Sequence, residues 1–127
     1  MNTILLVEDD DDDVMLFEDA LQQVAPETKL VHANNGKAAL EFLDGVKSGE
    51  PIKVFVDLNM PGMDGIACLE KIRLRKEFGE VPVFILTTSD SLATKLEGLR
   101  KGATDFFTKP HDYRELILIL KKALGKH

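Results

Sequence analysis

The chain has 127 residues, 44% hydrophobic and 30% charged, with a formal net charge of −6. This is the composition of an ordinary soluble globular protein, and one domain of this size buries about two-thirds of its unfolded surface without a disulfide or structural metal. The acidic balance disfavours direct nucleic-acid binding, no apolar stretch approaches the ~20 residues a bilayer crossing needs, and no basic flank or cleavage pattern marks a secretory signal.

In chain order, Thr3–Val7 reads as a buried strand that runs into Glu8-Asp9. Glu8 to Asp13 are all acidic. Their mutual repulsion suits a helix N-terminus or the neighbourhood of a cation, not an element interior. Glu8 and Asp9 are the site candidates; Asp10 to Asp13 are expected as helix-start and surface charge. Asp11–Ala25 carries a helical stripe at Val14, Phe17, Leu21 and Val24, ended by Pro26. Lys29–Ala33 is a second strand. Lys37–Val46 is a second helix with Ala39, Leu40, Leu43 and Val46 on one face and Asn35-Gly36 at its start.

Ile52–Asp57 is the third strand, and the Pro61-Gly62 turn follows it. Ile66–Arg75 turns Ile66, Leu69 and Ile72 inward, with Asp64 as N-cap. Val81–Thr87 is the fourth strand. Leu92, Leu96 and Leu99 mark a fourth helix, weakened by Thr94 and Gly98 and so expected to be the least stable. Thr104–Thr108 is the fifth strand, running into Lys109-Pro110. Asp112-x-x-Glu115 reads as a capping box for a last helix with the stripe Leu116, Ile117, Leu120 and Leu124. Cys68, the only cysteine, excludes an internal disulfide, is expected to pack as a small apolar group, and fits a reducing cytoplasm. His32, His111 and His127 are too scattered to be expected as ligands. Met60 and Met63 read as turn and core packing.

Strands alternating with helices throughout predict one α/β domain spanning residues 1–127, a doubly wound five-stranded parallel sheet with five helices on its two faces. Ligands of such sheets sit beyond the carboxyl ends of the strands. There the chain delivers Glu8-Asp9, Asp57 and Lys109. One like-charge pair at 4 Å costs about 4 kcal/mol at an effective dielectric near 20, so clustered acids need a raised pKa or a cation. Mg²⁺ is the expected cation: it takes hard oxygen ligands, and no His or Cys lies near these acids in sequence. A carboxylate beside Mg²⁺ and a lysine is suited to accepting a phosphoryl group. Leu86-Thr87-Thr88-Ser89 ends the fourth strand with hydroxyls, of which strand alternation lets only one of Thr87 and Thr88 face the site.

Glu8-Asp9, Asp57-Leu58-Asn59-Met60-Pro61-Gly62-Met63-Asp64-Gly65, Thr87 and Lys109-Pro110 together resemble the receiver domain of two-component response regulators. The resemblance covers essentially the whole chain and implies a flavodoxin-like strand order 2-1-3-4-5. It implies Asp57 as phosphoacceptor; Glu8, Asp9, Asp57 and the backbone carbonyl of Asn59 as Mg²⁺ ligands; Thr87 and Phe106 as switch residues; and Lys109 as the phosphate-binding lysine, joined to Pro110 by a cis bond. Where the family often has Phe after that proline, this chain has His111. Because the chain ends with the receiver, it resembles single-domain cytoplasmic regulators, which act by docking. The implied partners are a sensor histidine kinase or phosphotransfer protein upstream and a protein target downstream, with the face of helix four, strand five and helix five as the output and as a route to oligomers. The Asn-Asn-Gly-Lys-Ala-Ala-Leu-Glu-Phe-Leu and Leu-Thr-Thr-Ser stretches also resemble receivers paired with phytochrome-type kinases. Only self-catalysed phosphorylation and dephosphorylation are expected, not turnover of a separate substrate. Phosphatases of the haloacid dehalogenase type share the strand-end Asp nucleophile, but Asn59 stands where they place the acid. A phosphorylation-independent interaction module is the third class; normal partner regulation by Asp57→Asn would mark it.

Overall fold

The elements follow in the order β1 (Thr3–Val7), α1 (Asp11–Val24), β2 (Lys29–Ala33), α2 (Gly36–Asp44), β3 (Ile52–Val56), α3 (Gly65–Leu74), β4 (Val83–Thr87), α4 (Leu92–Arg100), β5 (Asp105–Thr108) and α5 (Tyr113–Ala123). They are seen in a computed structural model that describes residues 2–47, 49–60 and 62–126; Pro61 of the turn motif and His127 lie outside the described residues. All strand pairs are parallel, and one sheet runs β2-β1-β3-β4-β5. This is the expected doubly wound fold and order. No helix among the described residues is long and apolar enough to cross a membrane.

Alternation along the strands divides the core in two. Leu5, Val7, Val54, Val56, Val83, Ile85 and Phe106 face one side, where α2 and α3 contribute Ala39, Leu40, Leu43, Cys68, Leu69 and Ile72. Ile4, Leu6, Phe55, Phe84 and Leu86 face the other, against Phe17 and Leu21 of α1 and Leu116 and Leu120 of α5. The central strands are therefore apolar on both faces, as a sheet covered by helices requires. The two successive phenylalanines of β5 split between the sides: Phe106 is buried with Ile85, while Phe107 lies beside Phe84 at a ring distance of 6.1 Å.

Each α-helix starts on a side-chain cap, at Asp64 as expected and at Asn35, where the sequence places the start of α2. Asp10 accepts from the backbone of Asp12 and Asp13, Asn35 from Ala38, Asp64 from Ala67, and Ser91 from Thr94. Asp112 caps α5 through the Arg114 N–H, so the expected reciprocal box with Glu115 is replaced by a bond to Arg114. Asp11, Asp12 and Asp13 occupy the first turn of α1, where the helix dipole favours negative charge. β4 begins two residues later than expected, because Pro82 has no N–H to give to a ladder. A short 3-10 turn, Lys76–Phe78, follows α3 without a sequence cue.

α4 departs most from expectation. Its leucine stripe points to solvent, with Leu92 68% and Leu96 56% exposed, and its only buried residue is Gly98. A Cβ there would lie 2.5 Å from Ile85 Cδ1. The glycine that weakens the helix is thus what lets it approach the sheet.

Candidate phosphoacceptor site

Ladder hydrogen bonds run one residue past three strands and fix the rim of the sheet. Glu8 N–H donates to the Ala33 carbonyl at 3.0 Å, Asp57 N–H to that of Val7 at 3.0 Å, and Lys109 N–H to that of Thr87 at 2.6 Å. Alternation continues past the strand ends as well. Glu8, Asp57 and Lys109 fall on the side of α1 and α5, whereas Thr87 falls on the side of Phe106 and α4. The contacts agree: Lys109 Nζ lies 2.7 Å from Glu8 Oε1 and 3.2 Å from Asp57 Oδ2.

Glu8 is held on both oxygens. Its Oε2 accepts from the backbone N–H groups of Asp9 and Asp10, at 3.1 and 3.2 Å, while Oε1 meets the ammonium. Asp57 Oδ1 accepts the Asn59 N–H at 3.3 Å. Glu8 and Asp57 are buried, Asp9 is exposed, and one carboxylate oxygen of each lies within 4.8 Å of the others. Burial pushes the Glu8 carboxyl up to about 7 against the pull of Lys109, and the charge of Asp57 adds to the rise. Burial acts to lower the Lys109 pKa, but bonds to Asp13 and Glu8 and the charges of Glu8 and Asp57 outweigh it, so the net movement is upward and the ammonium stays charged.

Thr87 is fully buried and its Oγ1 accepts from Asn59 Nδ2 at 3.4 Å, while Thr88 is exposed. Of the two candidate hydroxyls, Thr87 is the one that Asn59 links to the rim, from the opposite face of the sheet. Phe106 is already buried in this conformation, two residues from the strand end, beside Ile85 in the β4–β5 register. The loop after β3 folds back tightly: Gly65 N–H donates to the Leu58 carbonyl at 3.1 Å, and any side chain at Gly65 would collide with the Asp57 carbonyl and the Leu58 backbone.

Two expectations need correction. The Lys109–Pro110 bond is trans, the form that X–Pro bonds favour by about 0.5–1 kcal/mol without a context that imposes cis. Asp13 is not mere helix-start charge. Its Oδ2 lies 2.7 Å from Lys109 Nζ, so the first turn of α1 supplies a third carboxylate to the lysine. No local signal marks it: the contact exists because α1 covers the face of the sheet on which Lys109 lies. His32 was also passed over. Its Nε2 is 2.7 Å from the Glu8 backbone carbonyl, which can only accept, so Nε2 carries the hydrogen and pins the strand end. An apolar cavity of about 240 Å³ opens beside the charged rim, with Leu6, Phe17 and Leu86 in its wall and Glu8, Asp13 and Lys109 at one end.

An acid trio and a lysine at the carboxyl rim of this sheet define a signalling receiver of the two-component type. The family model for the response regulator receiver domain matches residues 4–121, and the chain belongs to that family. It is 36% identical over 98% of its length to the regulatory protein AtoC of Escherichia coli (strain K12), of which it covers 25%. The chain spans between a quarter and about half of the length of the curated regulators it matches first. Among solved structures it is similar to the phosphorylated cyanobacterial phytochrome response regulator RcpA (26% identity, TM-score 0.84) and to the Mn²⁺-bound form of the response regulator Rcp1 (27%, TM-score 0.80). Each alignment covers 94% of this chain and 89% of the other. Receiver domains of this family are phosphorylated on an aspartate and act in signalling rather than as conventional enzymes.

Proposed function

We propose that residues 1–127 form one cytoplasmic receiver that takes a phosphoryl group on Asp57 from the phosphohistidine of a sensor kinase or phosphotransfer protein. The observation that carries this reading is the Lys109 ammonium 3.2 Å from Asp57 Oδ2, at a rim where Glu8, Asp9 and Asp57 offer clustered oxygens. An Asp57 carboxylate oxygen attacks phosphorus, the P–N bond to the donor imidazole breaks, and the imidazole leaves with the electron pair and takes up a proton. Lys109 is placed to receive a phosphoryl oxygen, and Thr87 to donate its hydroxyl to another.

The donor set fits Mg²⁺: three hard carboxylates, two of them buried, with no nitrogen or sulfur among them. Glu8, Asp9, Asp57 and the backbone carbonyl of Asn59 would hold it. When bound, Mg²⁺ supplies the charge neutralisation that otherwise falls to Lys109 and to proton uptake by Glu8. A Thr87 hydroxyl drawn to the phosphoryl group leaves Asn59, and because Thr87 shares its face of the sheet with Phe106 and α4, the movement alters the packing there. The output is a population shift in the face of α4, β5 and α5, which changes its affinity for a protein target or a second copy.

The test is incubation with a small phosphodonor such as acetyl phosphate and Mg²⁺, followed by intact mass. One phosphoryl group is expected, labile to hydroxylamine, absent with EDTA and absent in Asp57→Asn. A stable adduct, or labelling that survives Asp57→Asn, would refute the assignment.

A further inference from the structure

The bond from α1 to the lysine has no role in the reading above. An ammonium has three hydrogens and accepts nothing. Glu8 at 2.7 Å, Asp13 at 2.7 Å and Asp57 at 3.2 Å take all of them. The partners are not equivalent. The side chains of Glu8 and Asp57 are 4% and 7% exposed, whereas that of Asp13 is 37% exposed. A phosphoryl group on Asp57 inherits that carboxylate's contact with Lys109, and for a second phosphoryl oxygen to reach the ammonium, Glu8 or Asp13 must give way. Asp13 is the one that water can solvate at least cost.

We propose that Asp13 is a positioning residue that latches Lys109 in the resting site and competes with the phosphoryl group for the ammonium, which lowers the affinity of the site for phosphoryl anions. The inference rests on Asp57 being the phosphoacceptor. It is distinct from a purely supporting role, in which Asp13 would merely orient Lys109 and its loss would weaken anion binding. It is distinct as well from a diffuse effect of the acidic run. Asp12 lies one residue earlier in the same turn, is exposed and makes no ion pair with Lys109, so it reports the field alone.

Fluoroberyllate, a tetrahedral stand-in for a phosphoryl group, discriminates these readings. Its affinity is measured by calorimetry at a Mg²⁺ concentration shown to saturate each protein, on the wild type, Asp13→Asn, Asp12→Asn and Asp57→Asn. Loss of one charge-assisted competitor from a partly exposed pair should tighten binding to Asp13→Asn about five- to tenfold, with Asp12→Asn within about twofold of wild type. Asn at position 13 keeps the size of the side chain and suits a first helical turn, so the fold is retained. Unchanged or weaker binding by Asp13→Asn overturns the latch, and equal tightening in Asp12→Asn overturns it in favour of the field. Failure of the wild type to bind, or full binding by Asp57→Asn, overturns the phosphoacceptor reading and the latch with it.

Discussion

Replacing Gly98 with alanine sets two opposed terms against each other in α4. Removing a glycine from a helix interior is worth about 1 kcal/mol. Against that, the new Cβ would stand 2.5 Å from Ile85 Cδ1, with Phe106 Cδ2 at 3.6 Å and Ile66 Cδ1 at 3.7 Å. Carbon atoms rest at about 3.5–4.0 Å, so the first contact must open by about 1 Å while the other two need not move. Ile85 is fully buried in a central strand and has little room to yield. Overpacking of this kind costs about 1–3 kcal/mol. The balance is a net loss of roughly 0–2 kcal/mol. The cheaper relaxation is for α4 to lift, since no other residue of that helix is buried. Urea unfolding should show a midpoint equal to or below wild type, and α4 amides should exchange faster than in wild type and much faster than those of α5. A gain of the full helix-propensity term with slower exchange in α4 would mean that the glycine makes no close approach, and the reasoning would fail.

The remaining predictions concern charge and loop geometry. In EDTA, the folded state holds the Glu8 proton up to about 7 and the unfolded chain only to 4.5, so stability should fall as pH rises between those values, by at most about 3 kcal/mol. Lys109 stays charged throughout, and the lowered carboxyls of Glu27 and Asp112 titrate below that window. Urea midpoints at pH 5 and pH 7 test this, and equal values would contradict the burial argument. Gly65→Ala drives a Cβ into backbone at Asp57 and Leu58, which cannot move as a side chain can; a loss of about 3 kcal/mol or more and a large drop in phosphodonor labelling are expected. Arg73 donates to the carbonyls of Gly102, Phe78 and Val81, tying the turn before β5 to the segment before β4. Arg73→Ala should cost about 2–3 kcal/mol, read as a fall in urea midpoint, and leave labelling of Asp57 intact at low temperature. Cys68, buried and with its thiol pushed up to about 11 by burial, should react with a thiol reagent only as fast as the protein opens.

Periodicity exposed the elements because the sheet is covered on both faces. The central strands had to be mostly apolar on both faces and the helices striped, and those patterns are hard to mimic. The same signal misjudged α4. Its leucines at a helical spacing look like a buried face, yet a chain cannot show from spacing alone whether a stripe finds a sheet or solvent, and here the buried contact is made by a residue with no side chain. Glu8, Asp57, Thr87 and Lys109 were legible because a charge or hydroxyl at the end of an apolar strand has few bland explanations. Asp13 was not, because a run of acids at a helix start has a sufficient local reason in the dipole, and its partner is 96 positions away.

The strand alternation that separated those residues also divides the site between the two faces of the sheet. Glu8, Asp57 and Lys109 share the face covered by α1 and α5, and Lys109 links Asp57 to Asp13 of α1. Thr87 and Phe106 share the opposite face, where α4 rests on Gly98. The two faces meet at the rim through Asn59, whose backbone N–H holds Asp57 while its side chain holds Thr87. On the proposed function, a group added to Asp57 would act along this short route from the charged face to the apolar one. It ends on a helix with one buried residue, and a few kcal/mol at Thr87 is of the same size as the packing term that holds α4 in place.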